Sequence, residues 1–190
     1  MKRAVFLDRD GTIIEEVGYL RRIEDIRLLP GAAEALRGLK QAGFLLLVVT
    51  NQSAVARGWL NEQALEAIQQ EINRLLQGDG GTVDAFYYCP HLPGAKLKRY
   101  ARTCTCRKPK PGLLQRAARD WSVSLQRSYM VGDSRRDVEA GRRAGCCTIL
   151  IGGALSPPAD MVAADLREAA NLILRKEQTA AGGGERDAEG

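Results

Sequence analysis

Three short apolar runs, Ala4-Val5-Phe6-Leu7, Leu45-Leu46-Leu47-Val48-Val49 and Tyr129-Met130-Val131, each break off into charged or hydrogen-bonding side chains. Runs this short, with no polar alternation, are the pattern of strands buried on both faces, as in a parallel sheet. The first ends in Asp8-Arg9-Asp10-Gly11-Thr12, the second in Thr50-Asn51-Gln52-Ser53, and the third in Gly132-Asp133-Ser134-Arg135-Arg136-Asp137. Open α/β sheets hold their ligands at the carboxyl ends of strands. The three polar clusters therefore belong at one end of one sheet.

The segments between these runs read as helices. Pro30-Gly31 opens a helix over 32–40, with Ala32, Ala35, Leu36 and Leu39 on one face. Gly43 then releases the chain into the second run, completing a β-α-β unit. Asn61 caps a longer helix over 62–76, with Leu65, Ile68, Ile72, Leu75 and Leu76 inward. A strand over 83–88, a helix over 111–121, a strand over 128–131, a helix over 135–144, a strand over 147–151 and a helix over 165–175 follow. Strands alternating with helices predict a doubly wound parallel α/β sheet. From Glu177 the sequence has no periodicity and little apolar surface, so 177–190 is expected to be a disordered tail. Residues 1–176 are then one domain, too small to include a separate cap domain.

Of the 190 residues, 45% are hydrophobic and 27% charged, the balance of a soluble globular chain. No apolar stretch approaches the length of a membrane span, so no membrane partner is expected. The first strand begins almost at once, which leaves no room for a signal peptide and makes the cytoplasm the expected compartment. The net charge of +5 could serve nucleic acid or a smaller anion. Aromatic residues are only 5%, and no basic helix is interleaved with stacking side chains, so nucleic acid is not expected. A compact domain of this size can stand as a monomer.

Asp8 and Asp10 are like charges two residues apart at a strand end, and a cation or hydrogen-bond donors must compensate them. Mg²⁺ suits such hard oxygen ligands and shares its shell with water and phosphate. Asp turns that cap backbone amides are the plainer use of such a segment. The later clusters add hydroxyls and a further carboxylate, and Arg107-Lys108-Pro109-Lys110-Pro111 adds a dense cationic stretch. Together they describe a site for a phosphate ester and a metal.

Five cysteines divide into Cys89, Cys104 and Cys106 in one loop and Cys146-Cys147 beside a strand. Cys89-Pro90-His91 and Cys104-Thr105-Cys106 are two compact ligand pairs, and His91 is the sole histidine. Three thiolates and an imidazole would make a closed tetrahedral site of the structural kind. Reduced or disulfide-bonded cysteines are the alternative, with spacings shorter than the commonest zinc-finger pattern. Cys146 and Cys147 read as small buried hydrophobes at a strand start.

In these residues the chain resembles the haloacid dehalogenase superfamily, whose phosphatases carry four such motifs in this order. The resemblance implies that Asp8 is the nucleophile, Asp10 the general acid/base, Thr50 the second-motif hydroxyl, Lys108 the third-motif lysine and Asp133 the fourth-motif metal ligand. It implies catalytic Mg²⁺ held by Asp8, Asp133 and the backbone carbonyl of Asp10. C-x-H followed by C-x-C-R-K-P is similar to the zinc loop of one phosphatase branch, which implies structural Zn²⁺ on Cys89, His91, Cys104 and Cys106, in a loop spanning 89–110. Some relatives carry a lysine after the fourth-motif Asp where this chain has Ser134. That leaves the roles of Ser134 and Arg135 open, and Asp137 reads equally as a partner of Lys108 or of a metal-bound water, or as a first-turn helix residue.

Within the zinc-containing branch, the chain is most similar to phosphatases acting on the 7-phosphate of D-glycero-D-manno-heptose 1,7-bisphosphate in bacterial heptose and lipopolysaccharide precursor synthesis. Glu16-Val17-Gly18-Tyr19 and Asn51-Gln52-Ser53-Ala54-Val55-Ala56-Arg57-Gly58 carry that similarity. It implies substrate contacts from Glu16, Val17, Gly18, Tyr19, Asn51, Gln52, Ser53, Arg107 and Lys108. Histidinol phosphate is the alternative substrate, and it calls for a carboxylate where a second phosphate calls for cations. An idle binding protein on the same fold would not need both Asp8 and Asp10.

Overall fold

The computed structural model describes residues 1–153 and 159–182. Six strands form one sheet: β1 (Ala4–Leu7), β2 (Leu45–Asn51), β3 (Ala85–Cys89), β4 (Tyr129–Gly132), β5 (Cys147–Ile151) and β6 (Met161–Ala163). Their order is β3-β2-β1-β4-β5-β6 and every pairing is parallel. Six helices connect and cover them: α1 (Ala32–Gln41), α2 (Ser53–Arg57), α3 (Glu62–Gly78), α4 (Gly112–Trp121), α5 (Arg135–Ala144) and α6 (Leu166–Gly182).

The apolar runs alternate between two cores, one on each face. Val5, Leu7, Leu46 and Val48 pack with Leu36 and Leu39 of α1, Ile68 and Ile72 of α3, and Ala169 and Ile173 of α6. Ala4, Phe6, Leu47 and Val49 pack with Leu113, Leu114 and Ala117 of α4 and Ala140 of α5. Asn61 caps α3, its Oδ1 accepting from the backbone N–H of Ala64 at 2.7 Å. On that helix Leu65, Ile68, Ile72 and Leu76 are buried, and Leu75 is only partly so.

The sheet order reverses at β1, which has β2 on one side and β4 on the other. The crevice between the carboxyl ends of β1 and β4 is the place such sheets reserve for a ligand. Asp8 follows β1 and Asp133 follows β4.

Some boundaries differ from the sequence reading. The strand expected over 83–88 starts at Ala85 and runs through Cys89. Asn73 Oδ1 takes the Val83 N–H at 3.0 Å in place of a strand partner, while Asp84 meets β2 at Leu46 alone, its N–H donating to the Leu46 carbonyl and its Oδ2 accepting from the Leu46 N–H, both at 2.8 Å. Strand β6 and the short helix α2 were not expected. Helix α6 runs past the expected tail start at Glu177 to Gly182, and residues 183–190 lie outside the described part. Glu177 is held there by Arg3 and by the Tyr129 hydroxyl, which donates at 2.7 Å, so long-range partners extend the helix. Cys146 is buried as expected, whereas Cys147 is half-buried and its sulfur accepts from Lys176 Nζ at 3.4 Å. Among the described residues no helix is long and apolar enough to cross a membrane.

Candidate active site

At the strand ends a cavity of about 570 Å³ is lined by Asp8, Asp10, Thr50, Lys108 and Asp133, and by Glu16, Gly18, Tyr19, Asn51, Gln52, Ser53 and Arg107. Its size suits a small phosphorylated ligand. Val17 is the exception among the residues expected to meet substrate. Its side chain is exposed and faces an adjoining depression with Arg21 and Arg27, because the loop after β1 turns it outward.

Lys108 is the electrostatic centre. Its side chain is 1% exposed, with the ammonium 2.9 Å from Asp8 Oδ1 and 2.6 Å from Asp137 Oδ1, and it donates to the Val49 carbonyl at 2.7 Å. Burial alone would lower the lysine's pKa, but Asp137 and Asp8 more than reverse that and hold it above its ordinary value. For Asp8 the balance goes the other way: burial and the charge of Asp137 raise its pKa despite Lys108. Asp133 is raised as well, by burial and then by Asp137.

The Lys108 backbone is fixed from β2. Asn51 Oδ1 accepts from the Lys108 N–H at 3.0 Å, and Asn51 Nδ2 donates to the Lys108 carbonyl at 3.1 Å. Asp137 Oδ2 accepts from the Ser134 N–H at 3.1 Å and from the Ser134 hydroxyl at 2.5 Å. Asp137 therefore closes the first turn of α5 and orients Lys108 at once. Ser134 is the residue it closes on, and Arg135 points away from the cavity to pair with Glu139.

Carboxylate oxygens of Asp8, Asp133 and Asp137 lie within 4.8 Å of one another. Gly11, at φ 72°, lets Asp133 approach the loop, since a Cβ there would overlap the Asp133 carboxylate. Hard oxygen donors grouped this way fit Mg²⁺. The Asp10 carboxylate is not in this group. It is held by Arg9, through Nε at 3.1 Å and Nη2 at 2.8 Å, and by Gln52 Nε2 at 2.9 Å. Any metal role for Asp10 thus falls to its backbone carbonyl.

Gln52, expected to touch substrate, lines the cavity and is 5% exposed. Its Oε1 accepts from Arg9 Nη2 at 3.1 Å and its Nε2 also donates to the Thr50 hydroxyl at 2.9 Å. Arg9 and Arg136, which lines the cavity from α5, carried no assignment from sequence. For Arg9 the signal was its place between two carboxylates; for Arg136 it was the run of arginines after Asp133.

Cys89, at the end of β3, meets His91, Cys104 and Cys106. The sulfurs lie 3.2, 3.2 and 3.6 Å apart, and His91 Nδ1 lies 3.3 Å from Cys106 Sγ and 3.7 Å from Cys89 Sγ. A tetrahedral zinc ion bonded to sulfur and nitrogen needs ligand separations of about 3.6–3.8 Å. The three thiols are free, and the four ligand atoms could hold one metal. Contacts with Cys89, Cys104 and His91 hold the Cys106 thiol below its ordinary pKa despite burial. Arg107 Nη1 donates to the His91 carbonyl at 3.2 Å, which ties this cluster to the cavity.

A family model described as HAD-hydrolase-like matches residues 105–173. A D-glycero-beta-D-manno-heptose-1,7-bisphosphate 7-phosphatase from Haemophilus ducreyi is 43% identical over 148 residues, 77% of this chain and 81% of that protein. The phosphatase of the same name from Photorhabdus laumondii is 39% identical over 171 residues, 90% of this chain and 89% of that protein. Among solved structures, a D,D-heptose 1,7-bisphosphate phosphatase from B. bronchiseptica, complexed with magnesium and phosphate, superposes with a TM-score of 0.81. It is 34% identical, and the match covers 93% of this chain and 99% of that one.

Proposed function

The chain belongs to the haloacid dehalogenase-like hydrolases, in the branch of the D-glycero-D-manno-heptose-1,7-bisphosphate 7-phosphatases, and we propose that it hydrolyses the 7-phosphate of that sugar bisphosphate. The observation that carries the proposal is the convergence of Asp8, Asp10, Thr50, Lys108 and Asp133 on one cavity at the sheet's switch point.

Uncatalysed phosphate-monoester hydrolysis is so slow that the site must supply on the order of 20 kcal/mol or more. Much of this is electrostatic, because phosphoryl transfer chiefly needs positioning and neutralised equatorial oxygens. Mg²⁺ on Asp8, Asp133 and the Asp10 carbonyl supplies charge neutralisation when bound. Lys108 and the Thr50 hydroxyl face the phosphoryl oxygens. Asp8 attacks phosphorus, forming an aspartyl phosphate, as the bond to the sugar oxygen breaks. Asp10 gives that oxygen its proton. It then takes a proton from water as the water attacks phosphorus, releasing phosphate and the Asp8 carboxylate.

Charge in the cavity supports a bisphosphate over histidinol phosphate. Arg9 and Lys108 are paired with Asp10, Asp8 and Asp137, while Arg57, Arg107 and Arg136 line the cavity with no carboxylate partner among the described residues. Arg57 lies 5.4 Å from the Tyr19 ring and 5.1 Å from the Trp59 ring, so its planar cation is held in place. These guanidinium groups suit a second, non-reacting phosphate. The cysteine cluster takes structural Zn²⁺ in this reading, and it orders the loop that brings Arg107 and Lys108 to the site.

The test is phosphate release with Mg²⁺ from the heptose bisphosphate and from histidinol phosphate, with Asp8→Asn as the blank. A large kcat/KM preference for the bisphosphate, lost in Asp8→Asn, is expected. Arg107→Ala should raise KM for the bisphosphate and leave monophosphate substrates nearly unchanged. Preference for histidinol phosphate, or turnover by Asp8→Asn, would overturn the assignment.

A further inference from the structure

Arg9 is the largest fully buried side chain in the described structure, with 1% exposure. A buried guanidinium is costly unless it is paired and hydrogen-bonded. Here it is aimed at one target. Nε reaches both Asp10 oxygens, at 3.2 and 3.1 Å, and Nη2 reaches Oδ1 at 2.8 Å and Gln52 Oε1 at 3.1 Å. Nη1 is buried with no partner. Gln52 in turn spans three groups, accepting from Arg9 while donating to Asp10 Oδ2 and to Thr50. Asp10, whose side chain is 17% exposed, thus has both oxygens fixed by two nearly buried side chains.

We propose that Arg9 and Gln52 are positioning residues that aim the Asp10 carboxyl group at the leaving oxygen. Asp10 has two rotatable bonds, and a proton donor set off line by an ångström or so loses much of its effect. The Arg9 fork fixes the plane of the carboxyl group, and Gln52 fixes its rotation by bonding one oxygen. Because Gln52 also bonds Thr50, the acid and the second-motif hydroxyl share one anchor. Gln52 therefore acts through Asp10 and Thr50 instead of through direct substrate contact.

The inference rests on the phosphatase reading, and its test separates the two. General acid catalysis matters most when the leaving group is a basic alkoxide and little when it is nitrophenolate. Since kcat/KM covers events up to phosphoryl transfer to Asp8, comparing an alkyl phosphate with p-nitrophenyl phosphate isolates the acid step. The Mg²⁺-loaded Arg9→Met enzyme should lose about 100-fold in kcat/KM on the alkyl substrate and less than about 3-fold on p-nitrophenyl phosphate. Arg9→Lys should recover part of the loss. Asp10→Asn sets the full size of the selectivity.

Should Arg9→Met not fold, Gln52→Leu carries the test, with the same selectivity and a smaller loss. Equal losses on both substrates in a folded variant, or no loss on either, would overturn the role. If heptose bisphosphate proves a poor substrate, any primary alkyl phosphate the enzyme turns over gives the same ratio. A wrong substrate assignment therefore leaves this test intact.

Discussion

Lys108→Met removes an ammonium while keeping most of the apolar stem, so its cost isolates the buried charge network. The native group has three partners within 2.9 Å: Asp8, Asp137 and the Val49 carbonyl. In the variant Asp137, 1% exposed, keeps only its contacts with Ser134, and the Val49 carbonyl loses its lysine partner. Breaking a buried ion pair by deleting one partner costs about 3–5 kcal/mol. For a domain of this size each kcal/mol moves Tm by about 2–4 °C, so the loss should be about 6–20 °C. Differential scanning calorimetry in magnesium-free buffer reads this directly. Adding Asp137→Leu should give back about 1–3 kcal/mol, because a buried carboxylate without its counter-charge is then removed as well. A Tm drop below about 3 °C, or losses that simply add in the double variant, would refute the view that these charges depend on one another.

Stripping the metal from the cysteine cluster and restoring Mg²⁺ should leave the sheet's far-UV signal intact but abolish most turnover; full activity in demonstrably zinc-free protein would contradict the ordering role given to the loop. Asp160 accepts from the Thr148 N–H and hydroxyl, both at 2.7 Å, and although burial opposes it these bonds lower its pKa. Its stabilising effect is therefore present above the unfolded value of about 3.9 and is lost as pH falls through the folded value, so the Tm gap between wild type and Asp160→Asn should shrink between neutral pH and about pH 3. A gap that widens on acidification would reverse that assignment. Glu177→Ala removes the acceptor for Arg3 and Tyr129, and should destabilise by about 1–2 kcal/mol in urea melts; no change would mean that α6 is held by its apolar face alone.

The central strands were legible because they are buried on both faces, and β1, β2 and β4 need no partner to be recognised. Strand β6, only three residues long, is too short to show a period. Strand β3 was placed too early because Val83 looks like a strand residue, while its fate is decided by Asn73 on a neighbouring helix. The same division runs through the site. Asp8, Lys108 and Asp133 meet at one cavity and Cys89, His91, Cys104 and Cys106 at one cluster, and both groupings were legible from residue types together with the family resemblance. The hydrogen bonds of Gln52 were not legible, since its partner Arg9 is 43 residues away and only the packed fold brings the two together. Asp137 was left between two readings that the structure unites, one oxygen serving the helix and the other the lysine.

The clasp of Asn51 on the Lys108 backbone has a consequence for how this loop can change. The connection from β3 to Lys108 is pinned at Cys89 by the sheet and at Lys108 by an amide that imitates a strand partner. Between them, His91 and Cys104 gather at the cysteine cluster. The turn at Gly94, at φ 72° with open space where a Cβ would sit, lies between two backbone ties, Leu92 to Tyr100 and Leu97 to Ala56. Doubling a loop's length costs only about 0.6 kcal/mol in closure entropy. Residues can thus be inserted or exchanged at that tip while the lysine ammonium stays where it is, so the loop can vary in length around a fixed reaction centre.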